Sequence, residues 1–131
     1  MTRIADLIRD APQPGGPYSA SARIGRIVAV AGQCGYLPDR SLVSGLTAQA
    51  ELAFDNLVKA LGAAGATTDD VLSVDVYLAN GDDFADMNAV YERQFTRPFP
   101  ARTTVTAGLR PGVLVEFSAL AVLDHEVDHG G

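Results

Sequence analysis

The chain has 131 residues, enough for one domain with a real core but small for a two-domain enzyme. Its net charge of −6, from 10 Lys+Arg against 16 Asp+Glu, argues against a broad nucleic-acid or anionic-membrane surface and leaves room only for a local basic pocket. A single cysteine, Cys34, excludes an intramolecular disulfide and fits a reducing cytosol, and no stretch approaches the roughly 20 apolar residues that span a bilayer.

The opening Met-Thr-Arg-Ile-Ala-Asp has an early acidic residue and no long apolar run, so it does not read as a signal peptide, and a cytoplasmic location is expected. Pro12, Pro14, Gly15, Gly16 and Pro17 keep regular structure out of the next stretch. Residues 18–22 and 26–31 read as short strands about a turn at Ile24-Gly25, with Ile27, Val28 and Val30 supplying β-branched content. A loop rich in Gly, Pro and Asp fills 32–44. Thr47 opens a helix in which Leu52, Leu57, Val58 and Leu61 recur at helical spacing until Gly62 and Gly65 close it. Residues 71–78 alternate as a strand, with Val74, Val76 and Leu78 on one face. Asp82 and Asp83 begin a second helix through Phe84, Met87, Val90 and Tyr91 to about Phe95. Strands at 103–107 and 113–123 follow, joined by a turn at Leu109-Arg110-Pro111-Gly112. The order β-β-α-β-α-β-β describes one α+β domain over 1–131, a sheet with two helices on one face. Its core runs over about 14–123, and a flexible tail is expected at 124–131.

The last strand is apolar on both parities: Val113, Val115, Phe117, Ala119 and Ala121 on one side, Leu114, Leu120 and Val122 on the other. Two helices cover only one face of such a sheet. The other face needs a cover, and a second copy of the chain is the simplest one, so a closed homo-oligomer is expected.

One carboxylate, Glu116, interrupts that strand, and an arginine, Arg102, arrives just before it from the turn Phe99-Pro100-Ala101-Arg102. A carboxylate is expensive to bury unless paired or used. A hairpin centred near Leu109 would set position 102 opposite 116, leaving two readings open. One is a structural ion pair, or a glutamate at a wet sheet end. The other is a substrate site, with the planar fork of Arg102 holding a carboxylate and Glu116 positioning or deprotonating a water. Cys34 has no internal histidine to activate it, which weighs against a thiol nucleophile. His125-Glu126-Val127-Asp128-His129 imitates a metal cluster, but it ends in Gly-Gly without apolar anchors and reads as a solvated end.

Taken together, Gly16-Pro17-Tyr18, Ala31-Gly32-Gln33, Asn56, Asn88-Ala89-Val90-Tyr91-Glu92, Phe99-Pro100-Ala101-Arg102 and the run from Val115 to Val122 resemble the Rid family, the YjgF-type imine/enamine deaminases. The resemblance covers about residues 14–123. It implies a chorismate-mutase-like α+β fold with a mixed sheet, assembled as a homotrimer with sites between subunits. It implies hydrolysis of reactive 2-imino or enamine acids, such as 2-aminoacrylate, to 2-keto acids and ammonia, without metal or cofactor. On that pattern Arg102 binds the substrate carboxylate and Glu116 activates water, allowing a loop one residue shorter near Arg110. Tyr18, Gly32, Asn88 and Thr104 complete the substrate pocket. The family's usual serine before Gly-Gln is Ala31 here, its frequent cysteine two after the arginine is Thr104, and its second strand glutamate is Ser118. These departures bear on the substrate, and they keep open an alternative in which the protein binds 2-keto acids or similar small metabolites without turnover. No nucleic-acid or membrane partner is expected.

Overall fold

A computed structural model describes residues 1–124. Its elements are β1 (Ser21–Ile24), β2 (Ile27–Gln33), α1 (Leu46–Ala63), β3 (Val71–Leu78), α2 (Phe84–Tyr91), β4 (Ala101–Thr106) and β5 (Val115–Val122), in the expected order. The tail expected beyond Asp124, with both histidines, lies outside the described residues. Helix α1 starts at Gly45, whose φ of 87° is cheap only for glycine. A short 3₁₀ turn, Gly81–Asp83, precedes α2 and is capped by Asn80, whose side chain accepts from the amide of Asp82 at 2.9 Å.

The five strands form one sheet in the order β1-β2-β5-β3-β4. All neighbours are antiparallel except β3 and β4, which run parallel. This corrects the hairpin expected between β4 and β5. The chain crosses over through α2 between β3 and β4, and such a crossover delivers a parallel neighbour. β5 then returns to the middle of the sheet between β2 and β3. The most apolar strand thus takes the position in which both of its edges are hydrogen-bonded.

Strand alternation divides the sheet into two faces. Val28, Val30, Val74, Val76, Leu78, Val115, Phe117 and Ala121 are buried beneath Phe54, Leu57 and Leu61 of α1 and Met87 and Val90 of α2. Phe54 anchors an aromatic cluster, with its ring centroid 4.6 Å from Phe117, 5.5 Å from Phe95 and 5.7 Å from Tyr91. The opposite face carries Ile27 and Leu120, still 58% and 37% exposed, with Ser118, Asp75 and Glu116 among them. Among the described residues no helix is long and apolar enough to cross a membrane.

Candidate active site

Burial of Phe117 sets the orientation of its neighbour. With Phe117 locked against the helices, alternation turns Glu116 to the open face, where it pairs across the sheet with Tyr77 of β3. On the other side β2 carries an irregularity between Val30 and Gln33, so that Gln33 rather than Gly32 meets Phe117. Gly32 sits in that irregularity beneath the Glu116 carboxylate. A Cβ built on Gly32 would collide with Oε2 and lie 2.6 Å from Cδ. The glycine is therefore required by the carboxylate that covers it, a reason that Ala31-Gly32-Gln33 does not disclose as a tripeptide.

The Cys34 thiol donates to Glu116 Oε1 at 3.2 Å. Burial pushes this thiol well above its ordinary value, and the hydrogen bond and negative charge of Glu116 add to the shift, against a smaller opposing pull from Arg110. It stays protonated at neutral pH, a donor to the carboxylate and not a nucleophile. Tyr18, Ala31, Gly32, Cys34, Arg40, Arg110 and Glu116 share the lining of a cavity of about 370 Å³, within the size range of small-molecule sites.

Two buried polar side chains of α1 hold the loops around this cavity. Asn56 Nδ2 donates to the carbonyls of Cys34 (3.0 Å) and Tyr36 (2.9 Å). Gln49 Nε2 donates to the Gly112 carbonyl at 3.0 Å, while its Oε1 accepts from the Leu114 amide at 2.8 Å. Asn56 entered the sequence reading only as part of a pattern, and Gln49 not at all. The usable signal was their position: both lie on the core-facing stripe with Ala53 and Ala60, where an amide survives only by bonding backbone.

Arg102 lies elsewhere. In register with Val74, it faces the helix-covered side of the sheet at the β4 edge. Its guanidinium stands 4.7 Å from the ring centroid of Tyr91 and 5.5 Å from that of Phe84, and its Nη1 is 4.0 Å from Met87 Sδ. Among the described residues no carboxylate is ion-paired with it. Asn88, Tyr91, Glu92, Phe99, Pro100 and Arg102 line a second concavity of about 320 Å³. There Asn88 Oδ1 and the Tyr91 hydroxyl are buried without hydrogen-bond partners among the described residues. Burial also raises the Tyr91 phenol, against the pull of Arg102, so its hydroxyl remains a donor. An unpaired guanidinium beside an orphaned acceptor and an orphaned hydroxyl is a set of polar groups awaiting a partner. Thr104 follows Arg102 on the same strand face, in register with Val76, and does not line the concavity.

One chain therefore brings Tyr18, Gly32 and Glu116 together, and separately Asn88 with Arg102. It does not bring Arg102 to Glu116, which removes the internal ion pair from the readings open at the level of sequence. Among the described residues no group of three or more His, Cys, Asp or Glu could hold a metal ion.

A family model described as Endoribonuclease L-PSP matches residues 8–123. A 2-iminobutanoate/2-iminopropanoate deaminase of Dermatophagoides farinae is 37% identical over 117 residues, covering 87% of this chain and 91% of that protein. Protein mmf2, mitochondrial, of Schizosaccharomyces pombe is 38% identical over 98 residues, covering 74% of this chain and 77% of that protein. The crystal structure of RidA from the Antarctic bacterium Psychrobacter sp. matches with a TM-score of 0.88 at 33% identity, covering 92% of this chain and 99% of that one.

Proposed function

Since this chain belongs to the YjgF/Rid family, matched by the Endoribonuclease L-PSP model over nearly its whole length, we propose that it hydrolyses 2-imino and enamine acids to 2-keto acids and ammonia. The observation that carries this reading is the division of the polar groups. A guanidinium without an acidic partner among the described residues sits on one side of the sheet, and a carboxylate fixed over a glycine sits on the other. Each concavity holds half of what imine hydrolysis needs. Because the two patches lie on opposite faces of the sheet, a contact between them is head-to-tail, and such contacts form a ring where the rotation between copies closes. A homotrimer, with Arg102 of one subunit facing Glu116 of the next, joins the halves and covers the apolar row at Ile27 and Leu120.

In that cleft Arg102 takes the substrate carboxylate through its planar fork, and the rings of Tyr91 and Phe84 hold the guanidinium in place. Asn88 Oδ1 accepts from the nitrogen of the substrate, while Tyr18 and the Gly32 backbone shape the pocket around it. Glu116 takes a proton from water as the oxygen adds to the C=N carbon. That proton passes to nitrogen to give a carbinolamine; Glu116 then takes the new hydroxyl's proton and returns it to nitrogen, the C–N bond breaks as the C=O forms, and ammonia leaves a 2-keto acid. Imines hydrolyse readily in water, so general-base help of about 10²–10⁴-fold with good positioning suffices. A ribonuclease reading fits poorly with a net charge of −6, because affinity for RNA rests on cationic contacts to phosphates.

The test is hydrolysis of imines generated in situ by an amino-acid oxidase, with Arg102→Ala and Glu116→Gln alongside. Both variants are expected to lose the acceleration while keeping wild-type circular dichroism. Wild-type turnover in either refutes its assigned role. Ligand-induced thermal protection without any turnover selects binding of 2-keto acids instead.

A further inference from the structure

Two arginines in the Glu116 cavity have no part in the chemistry above. Arg40 adopts a left-handed backbone, φ 69°, which is strained for a non-glycine residue and persists only where surrounding contacts hold it. Its Nη1 donates to the Gln13 carbonyl at 2.5 Å, and its guanidinium stands 5.5 Å from the Tyr36 ring centroid. Nη2 is left pointing at Gly15. Arg110 comes from the loop before β5, which Gln49 pins at Gly112 and in which the Val113 amide donates to the Arg110 carbonyl at 3.0 Å. Its Nη1 and Arg40 Nη2 each come within 2.9 Å of the point a Cβ on Gly15 would occupy. Among the described residues neither guanidinium is ion-paired with a carboxylate.

Two cationic groups that converge without a counter-charge repel each other, and an anion between them relieves the repulsion. Among the described residues the wall they share carries one acid, Glu116, which leaves a local positive balance in a chain whose overall charge is −6. Resting on the hydrolase reading above, we infer that Arg40 and Arg110 form a second anion subsite, and that the preferred substrate is the imine of a dicarboxylic amino acid. Arg102 of the neighbouring subunit holds the carboxylate beside the imine. Arg40 and Arg110 hold the one at the end of the side chain. The two ends then fix the C=N carbon against Glu116, a bidentate placement that a monocarboxylic substrate lacks.

The experiment compares kcat/KM for imines derived from glutamate and from alanine, each generated in situ, in the wild-type protein and in the double variant Arg40→Gln/Arg110→Gln. Calorimetric binding of 2-oxoglutarate and of pyruvate is measured in parallel. Wild type is expected to favour the dicarboxylate, and the double variant to lower the ratio of the two kcat/KM values by roughly tenfold or more, with the same change in the binding ratio. Both arginines are solvent-facing, so the variant should fold, which thermal unfolding verifies. Hydrolysis of the alanine imine with no dicarboxylate preference, or a ratio unchanged in the double variant, overturns the subsite and leaves the hydrolase reading standing. Preferential 2-oxoglutarate binding that the double variant loses, with no hydrolysis of any imine, upholds the subsite and overturns the hydrolase reading.

Discussion

Arg102 and Glu116 face opposite sides of one sheet, so a shared site needs two chains, and subunit mixing tests this directly. In Arg102→Ala every cleft keeps its glutamate and lacks its arginine; in Glu116→Gln the reverse holds. Each variant alone should fall by about 10² or more, through loss of a charged clamp or of the general base. When the two are refolded together at equal ratio, a cleft is intact only where a Glu116→Gln chain supplies Arg102 and an Arg102→Ala chain supplies Glu116. In a ring of head-to-tail contacts that is about one quarter of the clefts, so about a quarter of wild-type activity returns. The recovery should follow the product of the two mole fractions, with its maximum at the equal mixture. The assay is imine hydrolysis across mixing ratios, with native mass spectrometry confirming mixed oligomers. Activity that stays at the level of the single variants while mixed oligomers are present refutes the shared cleft.

Gly32→Ala should displace the Glu116 carboxylate and lower kcat/KM by about 10²-fold, the scale expected when a catalytic group moves by an ångström; near-wild-type kinetics would show that the carboxylate position is not critical. Asn56→Ala strips the Cys34 and Tyr36 carbonyls of their donor, and should cost roughly 1–3 kcal/mol in urea unfolding. Phe117→Ala empties the centre of the aromatic cluster and should cost about 3–5 kcal/mol by the same measurement. The raised Cys34 thiol adds a pH term: above about pH 8.5 the unfolded thiol ionises while the folded one keeps its proton, so stability present at lower pH is lost as pH rises. The slope from this group is at most roughly 1.4 kcal/mol per pH unit, and Cys34→Ala should remove it from a chemical-unfolding series between pH 8 and 10. An unchanged slope in that variant would contradict the burial argument.

The element order was legible because each element carries its own period. The alternation of Val74, Val76 and Leu78 marks β3 from within its own eight residues, and the spacing of Leu57 and Leu61 marks α1. Some of the residues that line the two concavities, Tyr18, Gly32 and Glu116 in one and Asn88 and Arg102 in the other, were also within reach as parts of a recurrent family pattern. Their partners were not. A hairpin from β4 to β5 was the simplest joining of two neighbouring strands, and nothing local distinguishes it from a return to the sheet centre. Gln49 stayed hidden because an amide in a helix is ordinarily solvated, and only the neighbouring loops show what it bonds. Arg40 and Arg110 lie 70 positions apart in turns that carry no periodic signal.

The sequence by itself determined the elements and their order, and the strand most apolar on both parities, since propensity and period are properties of a few consecutive residues. Tertiary structure alone decided that β5 inserts between β2 and β3, and so on which face Glu116 emerges. Strand pairing is a long-range choice, made by which arrangement satisfies the most backbone and buries the most apolar surface at once. That choice separates Arg102 from Glu116 within a chain, on opposite faces of the sheet, and so removes the apparent salt bridge.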